Sequence, residues 1–121
     1  MYKITYYVDS RGKTPVWEHM QGLLKTQGKD NRLNYHKIID YIRVLRDNGK
    51  DAGQPYIKHL QGDIWELRPL RNRILFAVWD EEEFGFVLLH IFMKQTRKTP
   101  QRDIDIALRR LRELREGEDN G

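Results

Sequence analysis

No cysteine occurs in the chain, which excludes disulfides, thiolate nucleophiles and the usual zinc frameworks and fits a reducing compartment. The four histidines are scattered without metal-ligand spacing, so neither a metal nor another cofactor is expected. Long hydrophobic runs are missing too. None approaches the roughly 18 uninterrupted apolar residues of a membrane span, and residues 1–7 lack the apolar core of a signal peptide. The expectation is a soluble cytoplasmic protein with no membrane partner. Gly-rich phosphate loops, HExxH pairs and the strand-turn-helix nucleophile elbow are absent as well.

What is present is charge. One third of the 121 residues are Asp, Glu, Lys or Arg, with a formal net charge of +4, and the length suits one domain, 1–121, around a modest core. The basic excess is local. From Lys94 to Arg115 eight Lys or Arg face three Asp or Glu, after which Glu116, Glu118 and Asp119 close the chain. A binding face for an anion requires that kind of concentration. Its densest part is 94–100, Lys-Gln-Thr-Arg-Lys-Thr-Pro, where an apolar run meets a helix start. Unpaired N–H groups and the helix dipole favour anions there, so Lys94, Arg97 and Lys98 point to a phosphate-bearing partner.

Periodicity orders the elements. Residues 2–8 are β-prone and end in the turn-like Asp9-Ser10-Arg11-Gly12. Thr14-Pro15 supplies a cap and a first-turn proline for a helix with Val16, Met20, Leu23 and Leu24 on one face, closed by Gly28. Tyr35, Ile38, Ile42 and Leu45 predict a second helix, which Gly49 ends. Gly53, Pro55 and Gly62 make 50–62 an extended connection. Strand-like runs follow at 64–68, 73–80 and 84–93, joined by short turns that favour antiparallel hairpins. The last run is apolar on both faces and therefore central. Thr99-Pro100 repeats the cap-plus-proline signal before an amphipathic helix bearing Ile104, Ala107, Leu108, Leu111 and Leu114.

With 69–72 as the turn, Arg68 stands opposite Arg73 and Glu66 opposite Leu75. Period-two alternation then puts Glu66, Arg68 and Arg73 on one face and Trp65, Leu67, Ile74, Phe76 and Val78 on the other, the core face. Like charges across a hairpin are disfavoured unless something anionic lies between them. Glu66 neutralises part of that repulsion, and a phosphate would neutralise the rest through guanidinium contacts. The alternation also puts His90, Phe92 and Lys94 on one face of the last strand, with an imidazole suited to proton transfer near neutrality. Lys58 and His59 precede the hairpin and border the same cleft.

Lys58-His-Leu60, Trp65-Glu-Leu-Arg-Pro69, Asn72-Arg-Ile-Leu-Phe76, Leu88-Leu-His-Ile-Phe92 and the Lys94-to-Pro100 run, in this order, resemble the phage-derived, HigB-like branch of the RelE/ParE toxin superfamily. The resemblance implies an α+β fold of the RelE-like microbial ribonuclease toxin type. In it helices pack on one side of a twisted, mainly antiparallel sheet, in the order strand, helix, helix, three strands, helix. It implies a toxin of a bacterial type II toxin-antitoxin system, an endoribonuclease that cleaves mRNA, often on the ribosome, by attack of the ribose 2′-hydroxyl without a metal.

By the matching pattern, Arg73 stabilises the phosphorane with Arg68, and Lys94 and Lys98 grip flanking phosphates or assist the leaving group; Arg97 and Lys58 are further candidates for phosphate binding. Glu66 is the first choice for general base and His90 the second. The chain departs from some ribosome-dependent members in lacking their terminal His-Tyr arrangement. The implied partners are a cognate antitoxin, usually with a helix-turn-helix, and, through that complex, operator DNA. The alternative within the superfamily is a ParE-like toxin that inhibits DNA gyrase without catalysis.

Overall fold

The computed structural model describes residues 1–79 and 84–120. It runs β1 (Lys3–Tyr6), α1 (Pro15–Lys25), α2 (Lys29–Asn48), a short 3-10 turn (Gly49–Ala52), β2 (Ile57–Gln61), β3 (Ile64–Leu67), β4 (Asn72–Trp79), β5 (Gly85–Met93) and α3 (Gln101–Asn120). The strands form one sheet in the order β1-β5-β4-β3-β2. Only β1 and β5 pair in parallel; the other neighbours are antiparallel. The expected α+β class and the interior place of the last strand are both found. The end of the 73–80 run, Asp80, lies outside the described residues.

Local chemistry accounts for the helix ends. Pro15 opens α1, and the Glu18 carboxylate reaches back to accept the Thr14 N–H at 2.8 Å, so the cap is made from inside the helix instead of by the Thr14 hydroxyl. Gly28, expected to end α1, instead stands at the start of α2 with φ of 141°. Gly49 ends α2 at φ of 58°, and the Tyr2 ring lies so near that a Cβ would come within 2.6 Å of it. Glycine is required there twice over.

Two expectations need correction. The 50–62 segment contains a strand: Lys58 pairs with Glu66 and Ile57 with Leu67, and a register shift follows between His59 and Gln61. Five strand residues, four of them paired, between turn-forming glycines are too few to show an alternation in sequence. The helices, moreover, do not pack on one side. Val16, Met20, Ile38, Ile42 and Leu45 of α1 and α2 cover Leu67, Ile74, Phe76, Phe86 and Leu88 on one face. Ile104, Ala107 and Leu111 of α3 cover Leu75, Ala77, Val87 and Leu89 on the other. β4 and β5 are buried on both faces, so each face needs its own apolar cover.

The register of β4 on β5 slips between Leu75 and Phe76: Leu75 faces His90 while Phe76 faces Leu88, leaving Leu89 as the extra residue of a bulge. Leu89 and His90 consequently both turn toward α3. Ala107 is fully buried where α3 meets the sheet, and its small size sets how closely the helix approaches. Ala107→Leu should therefore cost about 1–3 kcal/mol through overpacking, read as a lower urea midpoint with an unchanged slope.

Candidate active site

The hairpin face read from the sequence is the face that α3 shares. Glu66, 2% exposed, sits on β3 opposite Leu75. Its Oε1 lies 3.5 Å from Arg68 Nε and 3.8 Å from Arg73 Nε, and its Oε2 accepts a 2.5 Å hydrogen bond from the Thr99 hydroxyl. Arg73, 6% exposed, is held in place by donating from Nη1 to the carbonyls of Leu70 and Asn72 at 2.8 and 2.7 Å. Burial lowers its pKa from the ordinary arginine value, and the Glu66 charge opposes that shift. Arg68 Nε is buried without a hydrogen-bond partner.

The 94–100 segment folds over this group. Glu66, Arg73, Phe92 and the segment itself enclose a cleft of about 10 Å³, close to the space one water molecule needs. Lys94, Arg97 and Lys98 thus line the same cleft as Glu66 and Arg73, as the sequence suggested. Gln95 through Lys98 are exposed. The Lys94 N–H donates to the Arg71 carbonyl at 2.6 Å, and the Thr96 hydroxyl to the Lys98 carbonyl at 2.7 Å.

The remaining candidates stand apart from the cleft. Lys58, opposite Glu66 on β2, shares the face but is exposed at the sheet's outer strand. His59 is on the other face, against Trp65, and its Nε2 bonds the Gly62 carbonyl, so it does not border the cleft. His90 occupies the same cross-strand row as Glu66, with Leu75 between them. Two strand spacings separate their backbones by about 10 Å.

His90 stacks on Phe92, and its Nε2–H donates to Asp103 Oδ1 of α3 at 2.8 Å. That bond orients the imidazole and leaves Nδ1 as the acceptor of the neutral ring. Burial lowers the His90 pKa; Asp103 opposes the shift, and Arg110 and Arg102 add to it. His19 on α1 is lowered as well, first by burial and then by the charge of His90, and its Nε2 is buried without a partner.

Two contacts of the candidate site escaped the sequence. Thr99 carries the cap-plus-proline signal, yet its hydroxyl goes to Glu66, 33 positions away. Asp103 has no local signal, because its partner is on β5. Among the described residues no group of three or more His, Cys, Asp or Glu is arranged to hold a metal.

Residues 24–112 match the family described as Phage derived protein Gp49-like. Among curated proteins, none matches the chain. Among solved structures, the chain is similar to the archaeal RelE-RelB complex from Pyrococcus horikoshii OT3, with 14% sequence identity and a TM-score of 0.53 over 80% of this chain and 98% of that one. At that identity the likeness is one of fold.

The two histidines give the fold a pH dependence of defined sign. Both are lowered below 6.5 in the folded chain, so on acidification the unfolded chain binds protons first. The stability they contribute is complete above about pH 6.5 and is lost as pH falls through the folded values. Urea midpoints should decrease from pH 7 to pH 5. His19→Gln or His90→Gln should flatten that slope.

Proposed function

The chain belongs to the phage-derived Gp49-like family, and we propose that it is the toxin of a bacterial toxin-antitoxin pair, a metal-independent endoribonuclease acting on mRNA in the cytoplasm. The observation that carries this reading is the meeting of a buried carboxylate, the Arg73 guanidinium and three further cations in one cleft, with Arg68 paired to the same carboxylate. Cleavage by an internal hydroxyl needs a proton acceptor, positive charge at the phosphorus and a grip on flanking phosphates. A gyrase-binding inhibitor has no use for a buried acid between two arginines. The ordered motifs from Lys58 to Pro100 support the HigB-like branch.

In this mechanism Glu66 takes the proton of the ribose 2′-hydroxyl as that oxygen attacks the neighbouring phosphorus. The bond from phosphorus to the 5′ oxygen breaks, a cyclic phosphate forms, and the 5′ oxygen takes its proton from the ammonium of Lys94 or Lys98 or from water. Arg73 and Arg68 face the charge that builds on the phosphorane oxygens, and Arg73 is pre-set by its two carbonyl bonds, so it need not reorganise. Lys94, Arg97 and Lys98 hold adjacent phosphates, and Lys58 extends the same face. His90, kept neutral by burial, is a proton acceptor and so the second candidate for the base. The ribosome is the proposed setting. The proposed restraint is a cognate antitoxin of helix-turn-helix type, whose complex with this chain would occupy operator DNA.

Purified protein should cut single-stranded RNA in the presence of EDTA, with ends located by primer extension. Glu66→Gln should lower the rate on the order of a hundredfold while RNA association persists. Arg73→Ala should abolish most cleavage and Arg73→Lys recover little, because the planar fork is lost. Loss of folding together with association in Glu66→Gln would make Glu66 a structural partner of the arginines and pass the base role to His90, tested by His90→Gln.

The cations at the cleft should act on binding. Replacing Lys94 and Lys98 with Ala should weaken RNA association and reduce its salt dependence by about two counterion-release units at most. An unchanged slope in a salt titration would remove these lysines from the phosphate path.

A further inference from the structure

The cleft is closed over the groups that would do its chemistry. Glu66 and Arg73 are 2% and 6% exposed, and the free space beside them is about 10 Å³, far less than a nucleotide requires. We propose that residues 94–100 form a latched cover whose Thr99 hydroxyl occupies, on Glu66, the place of the substrate's hydroxyl, so that the free protein holds its own site shut. This rests on the ribonuclease reading for the identity of the substrate. The latch itself rests on the contacts.

Three features support it. Thr99 Oγ1 donates to Glu66 Oε2 at 2.5 Å, the contact a ribose 2′-hydroxyl must make to surrender its proton to that oxygen. Thr99 and the substrate hydroxyl therefore compete for one acceptor. Arg68 Nε, in an ion pair with the same carboxylate at 3.5 Å, is buried and makes no hydrogen bond, so the Thr99 hydroxyl is the one close hydrogen-bond donor that Glu66 has among the described side chains.

The cover is also weakly held. Gln95 through Lys98 are exposed, and the hydrogen bonds that tie the segment down lie at its ends: the Lys94 N–H to Arg71 at one, and Thr99 to Glu66 and the first turn of α3 to the Pro100 carbonyl at the other. A segment with few buried apolar contacts opens at low free-energy cost. Its cations give a polyanion a reason to hold it open, because a phosphate that bridges them and the buried Arg73 binds the open form alone. The apparent affinity of the free protein is reduced by the fraction that is open.

Thr99→Val keeps the shape and removes the donor; Thr99→Ser keeps the donor. Hydrogen exchange should show the Lys94 amide, the segment's N–H bonded to the Arg71 carbonyl, exchanging about tenfold faster in Thr99→Val, as expected for loss of a hydrogen bond to a charged group. Sheet and α2 amides should be unchanged, which separates latch opening from general destabilisation. Thr99→Ser should match the wild type. An all-deoxy oligonucleotide, which carries phosphates and no 2′-hydroxyl, should bind Thr99→Val more tightly by a similar factor. Equal exchange in wild type and Thr99→Val, or a Ser variant as open as the Val variant, overturns the latch. If Thr99→Val opens the segment while no variant cuts RNA, the latch stands and the nuclease reading fails. If the wild type cuts RNA and the segment exchanges alike in both, the reverse holds.

Discussion

A carboxylate with 2% exposure is the constraint around which this site is built. Taking Glu66 out of water is costly unless its charge is matched, and Arg68 and Arg73 on the adjoining hairpin positions match it while Thr99 bonds its second oxygen. The dependence runs both ways. Without Glu66 the two guanidiniums would repel one another on a half-dry sheet face, and Arg73, nearly buried, would have no counter-charge. Two cations against one anion leave an excess of one positive charge in a poorly solvated place. Lys94, Arg97 and Lys98 add to that excess at the rim, where it attracts a polyanion without destabilising the interior.

The sheet makes that arrangement possible by being buried on both faces. α1 and α2 supply the larger core on one side, freeing the other to carry a mixed surface of apolar contacts to α3 at one end and polar groups at the other. The Leu89 bulge contributes by turning two successive residues of β5 toward α3, one to pack and one, His90, to bond Asp103. The connection is forced as well. β5 ends at Met93 and α3 begins at Gln101, so seven residues must carry the chain from the sheet's end onto the α3 face. That short path crosses Glu66 and Arg73.

Much of this was legible in the sequence because it follows from local rules. The 69–72 turn and strict alternation placed Glu66 opposite Leu75 and on the side of Arg68 and Arg73, and the structure has that pairing. What escaped was long-range. An amphipathic pattern shows that α3 has an apolar face but not which side of the sheet it covers, although Leu75, Ala77, Val87 and Leu89 already formed a second apolar face in need of a partner. Thr99 reads as a helix cap by its neighbours, and only a contact across 33 positions reveals it as a partner of Glu66. Ile57–Gln61 is a strand because β3 lies beside it; its own five residues, broken by a register shift, carry too little pattern to say so.

Burial of the site sets two demands against each other. Removing water strengthens each charge interaction that a phosphorane would feel, and a pre-set Arg73 avoids reorganisation when charge develops. The same burial leaves no room for a nucleotide. A fixed wall would meet the first demand and defeat the second. A segment that carries its own phosphate-binding cations meets both, since the binding of flanking phosphates supplies the free energy that displaces Thr99 and exposes the acceptor on Glu66. Access then depends on the ligand's being a polyanion with a hydroxyl to offer. A lone phosphate lacks the reach to engage the rim and Arg73 together, and a neutral sugar lacks the charge to open the cover. On the proposed ribonuclease reading, discrimination for RNA would begin before any bond is made or broken.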